Sequence, residues 1–353
     1  MENKEQNFLN IIRGTAIFLM LWGHAVQYCT PPDVDFFENP VFKVIYSFHM
    51  PLFMLVSGYL FFFSFQKREL KPLLVHRTQG LLQPIVLASI LNMLIMALPQ
   101  GIMSRSVPLF DGRLLDGLFS LWFLWCVLAS SLAVAITFKL AKNRWQQLLG
   151  VIFGILFISL FPDMHKQIYM YPYFVLGFLY AGCKNRIPGF LHKVKYLTIP
   201  LFPVMVCFFT TIHYIYNTPV FGVGMAFTTF LRLNGLRWSI GLVGSIAMMT
   251  ILEWLLTVGR NKMGLLLNGL SILGKNSLQI YCLSVSLLSG YLPIVYRKAR
   301  EYAEPAVSAL ESSWIVHNLV FTPTLAILYC IVLFQIVLLL KRWRLHRLIF
   351  GRG

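Results

Sequence analysis

The sequence predicts an all-α polytopic membrane protein of about ten transmembrane helices, with both termini in the cytoplasm. Three observations carry this prediction. Of the 353 residues, 58% are apolar and 12% charged, whereas about a quarter of an average soluble chain is charged. Apolar runs of about 20 residues recur along the chain, the length that crosses about 30 Å of hydrocarbon, and mean hydropathy is +0.70. The Lys and Arg residues gather in alternate loops, as orientation in a membrane requires. A soluble enzyme, a disordered chain and a disulfide scaffold are excluded by this composition. The net charge of +17 belongs to orienting loops. With no recognisable basic-aromatic module in the sequence, no nucleic-acid partner is expected.

The expected spans follow in order. Residues 11–30 follow Lys4 and hold Arg13 and His24; with no small-residue cleavage site after it, this run stays as a helix. Residues 41–65 and 80–98 flank a basic loop, and 118–138 opens on Leu121-Trp122-Phe123-Leu124-Trp125. Runs 147–161 and 168–183 are short. Runs 197–216, 236–258, 272–292 and 320–340 complete ten. With the N-terminus inside, 19 Lys/Arg fall in inside segments against 8 outside, and an odd number of spans would break that alternation. Residues 1–353 then form a single integral-membrane domain, multi-pass in a plasma membrane and in contact with its lipids. The longest non-spanning stretch is 293–319. A second outer stretch, 217–235, carries Pro219, Gly222 and Gly224. The six cysteines form no CxxC and read as small buried hydrophobes; no metal site is expected.

Ionisable residues inside spans are costly and each needs a reason. Arg13 and His24 are eleven residues apart, about 20° from three full turns, so they share one helix face about 16 Å apart along the axis. A cation at the inner end and an imidazole deep in the bundle suit an elongated ligand with an anionic end. The plainer alternative is that Arg13 snorkels to lipid phosphates and His24 bonds a neighbouring helix. On the second span His49 enters from outside to a depth like that of His24, and shared acid-base chemistry becomes available there. Pro51 frees a backbone carbonyl beside it. Ser57 and Gly58 fit close packing better than chemistry, with Ser57 kept as a substrate-contact candidate together with His49 and Trp122. Gly274-Lys275-Asn276-Ser277 opens the ninth span; this is an ordinary helix cap, or, with Lys275, a place for a phosphate. Arg77 is either a topology charge or a ligand. Glu253 is placed to pair with a basic loop residue, and Asp116 sits at an outer boundary. No Walker A loop, HExxH, strand-flanked GxSxG or selectivity-filter motif occurs.

The Arg-x10-His of Arg13 and His24 resembles the signature of the acyltransferase family 3 membrane proteins. The resemblance continues in order through "FHMPLFMLVSGYLF" at 48–61, "LWFLW" at 121–125, "YPYFVLGFLYAG" at 171–182 and "LGKNSLQIY" at 273–281, nearly the whole chain. It implies a ten-span bacterial inner-membrane enzyme in the stand-alone form, without an SGNH domain. Such an enzyme moves an acyl group, often acetyl, from acyl-CoA to sugars of surface polysaccharide or lipopolysaccharide. The donor would be acyl-CoA, acetyl-CoA first, and the acceptor a saccharide, free or lipid-linked. The donor's phosphates would meet Arg13, Arg77 and Lys275; the pantetheine arm would run along the first span; His24 would be the general base. Two positions depart from the family's pattern. Tyr281 is followed by Cys282, Leu283 and Ser284 where a His is common, and Gly80 stands where a second Arg often follows Arg77. Hydropathy by itself fits a transporter or flippase of a lipid-linked sugar, which would need no acyl donor. A non-catalytic scaffold would bind neither donor nor sugar.

Overall fold

The computed structural model describes residues 3–31, 33–103, 113–158, 164–186, 189–215, 227–258 and 263–351. Arg105, Arg260, Lys262, Pro219, Gly222 and Gly224 lie outside them, as do the side chains of Arg113 and Asp116. The described residues are helical and contain no strand. The helices are α1 Asn3–Cys29, α2 Pro40–Lys67, α3 Leu70–Met103, α4 Arg113–Ser120, α5 Trp122–Leu140, α6 Arg144–Ile158, α7 Met164–Cys183, α8 Gly189–Val194 and α9 Thr198–Val206. They continue with α10 Phe227–Val258, α11 Gly264–Lys275, α12 Ser277–Ser284, α13 Leu292–Tyr302, α14 Glu304–Ser312, α15 Trp314–Val316, α16 Thr322–Arg342 and α17 Leu345–Phe350.

Six segments among the described residues are long and apolar enough to cross a membrane: Lys4–Cys29, Pro40–Lys67, Leu70–Ile95, Trp122–Leu140, Leu231–Val258 and Trp314–Arg342. They match six of the ten expected spans. The other four are helical but shorter, more polar or interrupted. α6 has 15 residues, and α7 opens on the polar turn His165-Lys166-Gln167. The 197–216 run holds only the short α9 before a 3-10 turn at Thr211–His213. The 272–292 run is cut at Asn276 and widens into a π-helix at Val285–Tyr291. Asn276 does not cap α12: its Nδ2 donates back to Ile272 O and its Oδ1 accepts from Lys341 Nζ at 2.6 Å.

α1 is the axis of the bundle. Its most apolar stretch is 78% buried, against 22% for the last span, whose Ile327, Leu328, Ile331 and Val332 are exposed on the face a membrane would cover. α1 packs on α2, α11 and α16, and α2 packs on α7. In lipid, helix association depends on close packing and small residues, and both tight crossings use glycine. A Cβ on Gly274 would stand 1.8 Å from Asn10 O, and one on Gly58 2.0 Å from Phe174 O. The helix axes could not approach this closely with any larger residue.

Caps and ties set the rest. Asn39 Oδ1 accepts from the Val41 and Phe42 backbone N–H groups, and Pro40 occupies the first turn of α2, so the helix starts at a fixed point. Lys184 Nζ donates to Glu5 Oε1 at 2.7 Å and to the Tyr59 hydroxyl at 2.8 Å, and that hydroxyl donates to Glu5. This joins α1, α2 and the end of α7. Glu253 pairs with Lys195 at 2.5 Å, as its position suggested. Arg13, Ser277, Asn276 and Lys341 form a chain of contacts from α1 to the end of α16, so both termini lie at the same end of the bundle.

Candidate active site

A cavity of about 40 Å³ lies between α1, α2, α5, α7, α12 and the 3-10 turn. His24, His49 and Trp122 line it with Tyr46, Tyr169, Tyr281, Tyr214 and His213, and Met20, Met50, Met170 and Ile215 complete the wall. The described lining contains no carboxylate, serine, threonine or cysteine.

Local structure fixes each imidazole. His24 is one turn before Gln27 on α1, and its Nδ1 lies 3.0 Å from Gln27 Oε1 and 3.2 Å from the Tyr46 hydroxyl. Its ring stacks on Tyr28, with centroids 5.7 Å apart. An acceptor at Nδ1 puts the proton of the neutral ring there and leaves Nε2 a lone pair. On α2, His49 Nδ1 lies 2.8 Å from Ile45 O, one turn back. A carbonyl only accepts, so this ring also carries its proton on Nδ1 and presents Nε2 as an acceptor. Tyr46 lies between them, its ring edge-on to both. Neither Nε2 has a hydrogen-bond partner among the described residues. Both rings line one cavity and each keeps an Nε2 lone pair, the kind of group that accepts a proton from a hydroxyl nucleophile.

The other end of α1 holds Arg13. Its Nε and Nη2 both donate to Ser277 Oγ, at 3.1 and 2.6 Å. One turn further along α12, Tyr281 reaches the cavity wall, where its hydroxyl accepts from Phe123 N–H at 3.3 Å. α12 thus runs beside α1 from the Arg13 end to the cavity. No carboxylate among the described residues pairs with Arg13 or Lys341. That end therefore keeps positive charge available to an anion.

The expected site residues separate into two groups. His24, His49 and Trp122 meet in the cavity, with Lys166 Nζ 5.4 Å over the Trp122 ring. Arg13 meets Ser277 of the Gly-Lys-Asn-Ser segment. Ser57, Arg77 and Lys275 do not join either group by contact. Ser57 is half-buried beside the Gly58 crossing and does not line the cavity. Arg77 lies 4.7 Å over the Phe61 ring, with a buried Nε that has no hydrogen-bond partner. Lys275 is exposed at the end of α11.

One wall residue, His213, and a buried cation that contacts the wall, Arg237, escaped the sequence reading. His213 is an imidazole within the expected 197–216 span, so the rule that singled out Arg13 and His24 applies to it equally. Arg237, 2% exposed, lies 3.7 Å over the Tyr169 ring and donates to His213 O at 3.4 Å; it sits at the start of the 236–258 run. No group of three or more His, Cys, Asp or Glu among the described residues is placed to hold a metal ion.

Comparison with known proteins adds the family. A family model described as an acyltransferase domain matches residues 6–342. The nodulation protein NolL of Mesorhizobium japonicum is 27% identical over 216 residues, 58% of this chain and 56% of its own length. The NolL of Sinorhizobium fredii is 33% identical over 187 residues, 51% of this chain and 49% of its own. The chain spans about half the length of these curated relatives. No solved structure is significantly similar to it. Arg13, His24, the cavity wall and α12 all fall inside the matched residues, and the chain belongs to the acyltransferase-domain family.

Proposed function

We propose that the protein is a membrane O-acyltransferase that moves an acyl group, acetyl first, from cytoplasmic acyl-CoA to a saccharide hydroxyl. The observation that carries this reading is the division of α1: a cation at one end and, near the other, two imidazole lone pairs facing one cavity. The end with both termini, Arg13, Lys184 and Lys341 is the more basic, and the positive-inside rule puts it in the cytoplasm. CoA phosphates would meet Arg13 there, with Lys275 and Arg77 as further cations along the approach. The pantetheine arm is long enough for the distance to His24. The tyrosines and Trp122 offer flat faces and hydroxyls to a sugar ring, free or lipid-linked, and His49 Nε2 accepts from one of its hydroxyls.

In the reaction His24 Nε2 takes the proton of the attacking hydroxyl. Gln27 and Tyr46 hold the ring and favour the tautomer with Nε2 free. The described lining contains no Ser, Thr or Cys nucleophile, which supports direct transfer over an acyl-enzyme. The test is transfer from radiolabelled acetyl-CoA to methyl glycosides of hexoses, deoxyhexoses and N-acetylhexosamines, by purified protein in nanodiscs. Transfer that needs His24 supports the reading. Absence of both acetyl-CoA binding and transfer, with binding of a lipid-linked sugar, replaces it with transport.

A further inference from the structure

His213 differs from the other two cavity histidines in which ring nitrogen carries the proton, although all three are engaged at Nδ1. The backbone N–H of Thr210 donates to its Nδ1 at 3.0 Å, and the Thr210 hydroxyl lies at the same distance. A backbone N–H can only donate, so Nδ1 is the acceptor and the proton of the neutral ring sits on Nε2. His49 is fixed the opposite way by a carbonyl, which can only accept. One cavity therefore presents imidazole lone pairs from α1 and α2 and an imidazole N–H from the 3-10 turn. His213 is 6% exposed, and its Nε2 has no hydrogen-bond partner among the described residues.

The turn is held on several sides. Tyr214 donates its hydroxyl to Phe37 O at 2.9 Å, tying the turn to the segment just before α2. Phe209 and Tyr214 pack with Val26, Phe42, Val206 and Ile240 in a small apolar cluster. Arg237 donates to His213 O, which ties a buried guanidinium to the backbone of the turn. A donor fixed before reaction, in a small site with a buried cation against its wall and no carboxylate in its described lining, suits a transition state that gathers negative charge.

We propose that His213 donates its Nε2–H to the acyl carbonyl oxygen as the tetrahedral intermediate forms; this rests on the acyltransferase reading above. The attacking hydroxyl oxygen bonds to the thioester carbon, its proton goes to His24 Nε2, and the carbonyl electron pair moves onto oxygen. His213 stabilises that oxyanion and keeps its own proton. The oxyanion then reforms C=O, the C–S bond breaks, and the departing thiolate takes the proton from His24. Thioester and alcohol become ester and thiol, and both histidines return to their starting forms.

The side-chain geometry supplies the test. Glutamine puts an N–H near the position of imidazole Nε2, whereas asparagine puts an acceptor near Nδ1. If His213 donates to the oxyanion, His213→Ala and His213→Asn lower kcat for acetyl transfer to the methyl glycosides about 10²–10³-fold with little change in donor KM, and His213→Gln keeps most of it. If the residue only holds the turn, His213→Asn retains activity and His213→Gln does not, and the proposal fails. The tautomer is tested without any substrate by nitrogen-15 NMR of histidine-labelled protein, with His213→Asn and His49→Asn for assignment. His213 should carry its proton on Nε2 and His49 on Nδ1; a proton on Nδ1 of His213 overturns the assignment whatever the activities of the variants. The two readings fail separately. An inactive wild type, or a folded and fully active His24→Ala, removes the acyltransferase mechanism; active His213→Ala beside inactive His24→Ala removes only this inference.

Discussion

At the scale of single residues, the proposed roles of His24 as base and Arg13 as donor contact separate in assay. His24→Ala should lose about 10²–10⁴-fold in kcat, the usual contribution of a positioned general base, with donor binding retained. Stopped transfer with unchanged acetyl-CoA affinity is the expected result, and full activity in the folded variant rejects the base assignment. Arg13→Ala should instead weaken acetyl-CoA binding by about 10- to 100-fold, the value of a hydrogen bond to a charged group. Arg13→Lys should recover part of that loss, because an ammonium keeps the charge but not the guanidinium fork. Acetyl-pantetheine, which lacks the nucleotide phosphates, should bind wild type and Arg13→Ala alike. A penalty that persists with this analogue would mean that Arg13 acts only through the Ser277 contact.

At the scale of elements, the glycine crossings and the C-terminal hook are the parts to test. Gly274→Ala places a methyl 1.8 Å from Asn10 O, so α1 and α11 must separate. Overpacking of this kind costs about 1–3 kcal/mol, read as a lower midpoint of thermal unfolding in detergent; an unchanged midpoint would disprove the close crossing. The hook begins where Arg344 takes the left-handed conformation, φ 59°, and turns the chain back. Gln83 Nε2 then donates to Leu348 O at 2.6 Å, Phe350 is buried, and His346 lies 3.2 Å from Gln279. Burial, with the Lys341 and Arg347 charges, holds the His346 imidazole below its ordinary value near 6.5. As pH falls through 6.5 an undocked His346 takes its proton before a docked one, so docking is strongest above that value and weakens below it. Hydrogen exchange of residues 345–350 should therefore be faster, after correction for intrinsic rates, at pH about 5.5 than at about 7.5. Equal or greater protection at the lower pH contradicts this.

At the scale of the whole molecule, the contacts from Arg13 through Ser277 and Asn276 to Lys341 place the two termini together. With the basic residues of that end, this predicts that reporters fused to the N- and C-termini respond on the cytoplasmic side. A C-terminal reporter active only outside would break the even alternation of spans. Much of this architecture is legible in the sequence, because burial in lipid demands long apolar runs and basic loops, and both survive as composition. Span count is less legible. The 272–292 run scores as one helix, but the structure divides it at Asn276, whose side chain bonds Ile272 and Lys341 instead of capping.

The candidate site was legible in part. Arg13, His24 and His49 announce themselves as polar groups in apolar helices, and eleven-residue spacing puts the first two on one face. Trp122 lines the cavity, whereas Ser57 stays at a packing crossing and Lys275 on the surface. Helix periodicity cannot say which neighbour a side chain meets. The sequence by itself determined the membrane class, the order of the main helices, the family resemblance and the costly residues of α1 and α2, since each depends on local composition or spacing. Only the tertiary structure decided that Ser277 meets Arg13, that α12 links the cation to the cavity, and that His213 joins His24 and His49 with its Nδ1 accepting where theirs donate. Those facts depend on contacts between residues far apart in the chain, and packing alone brings them together.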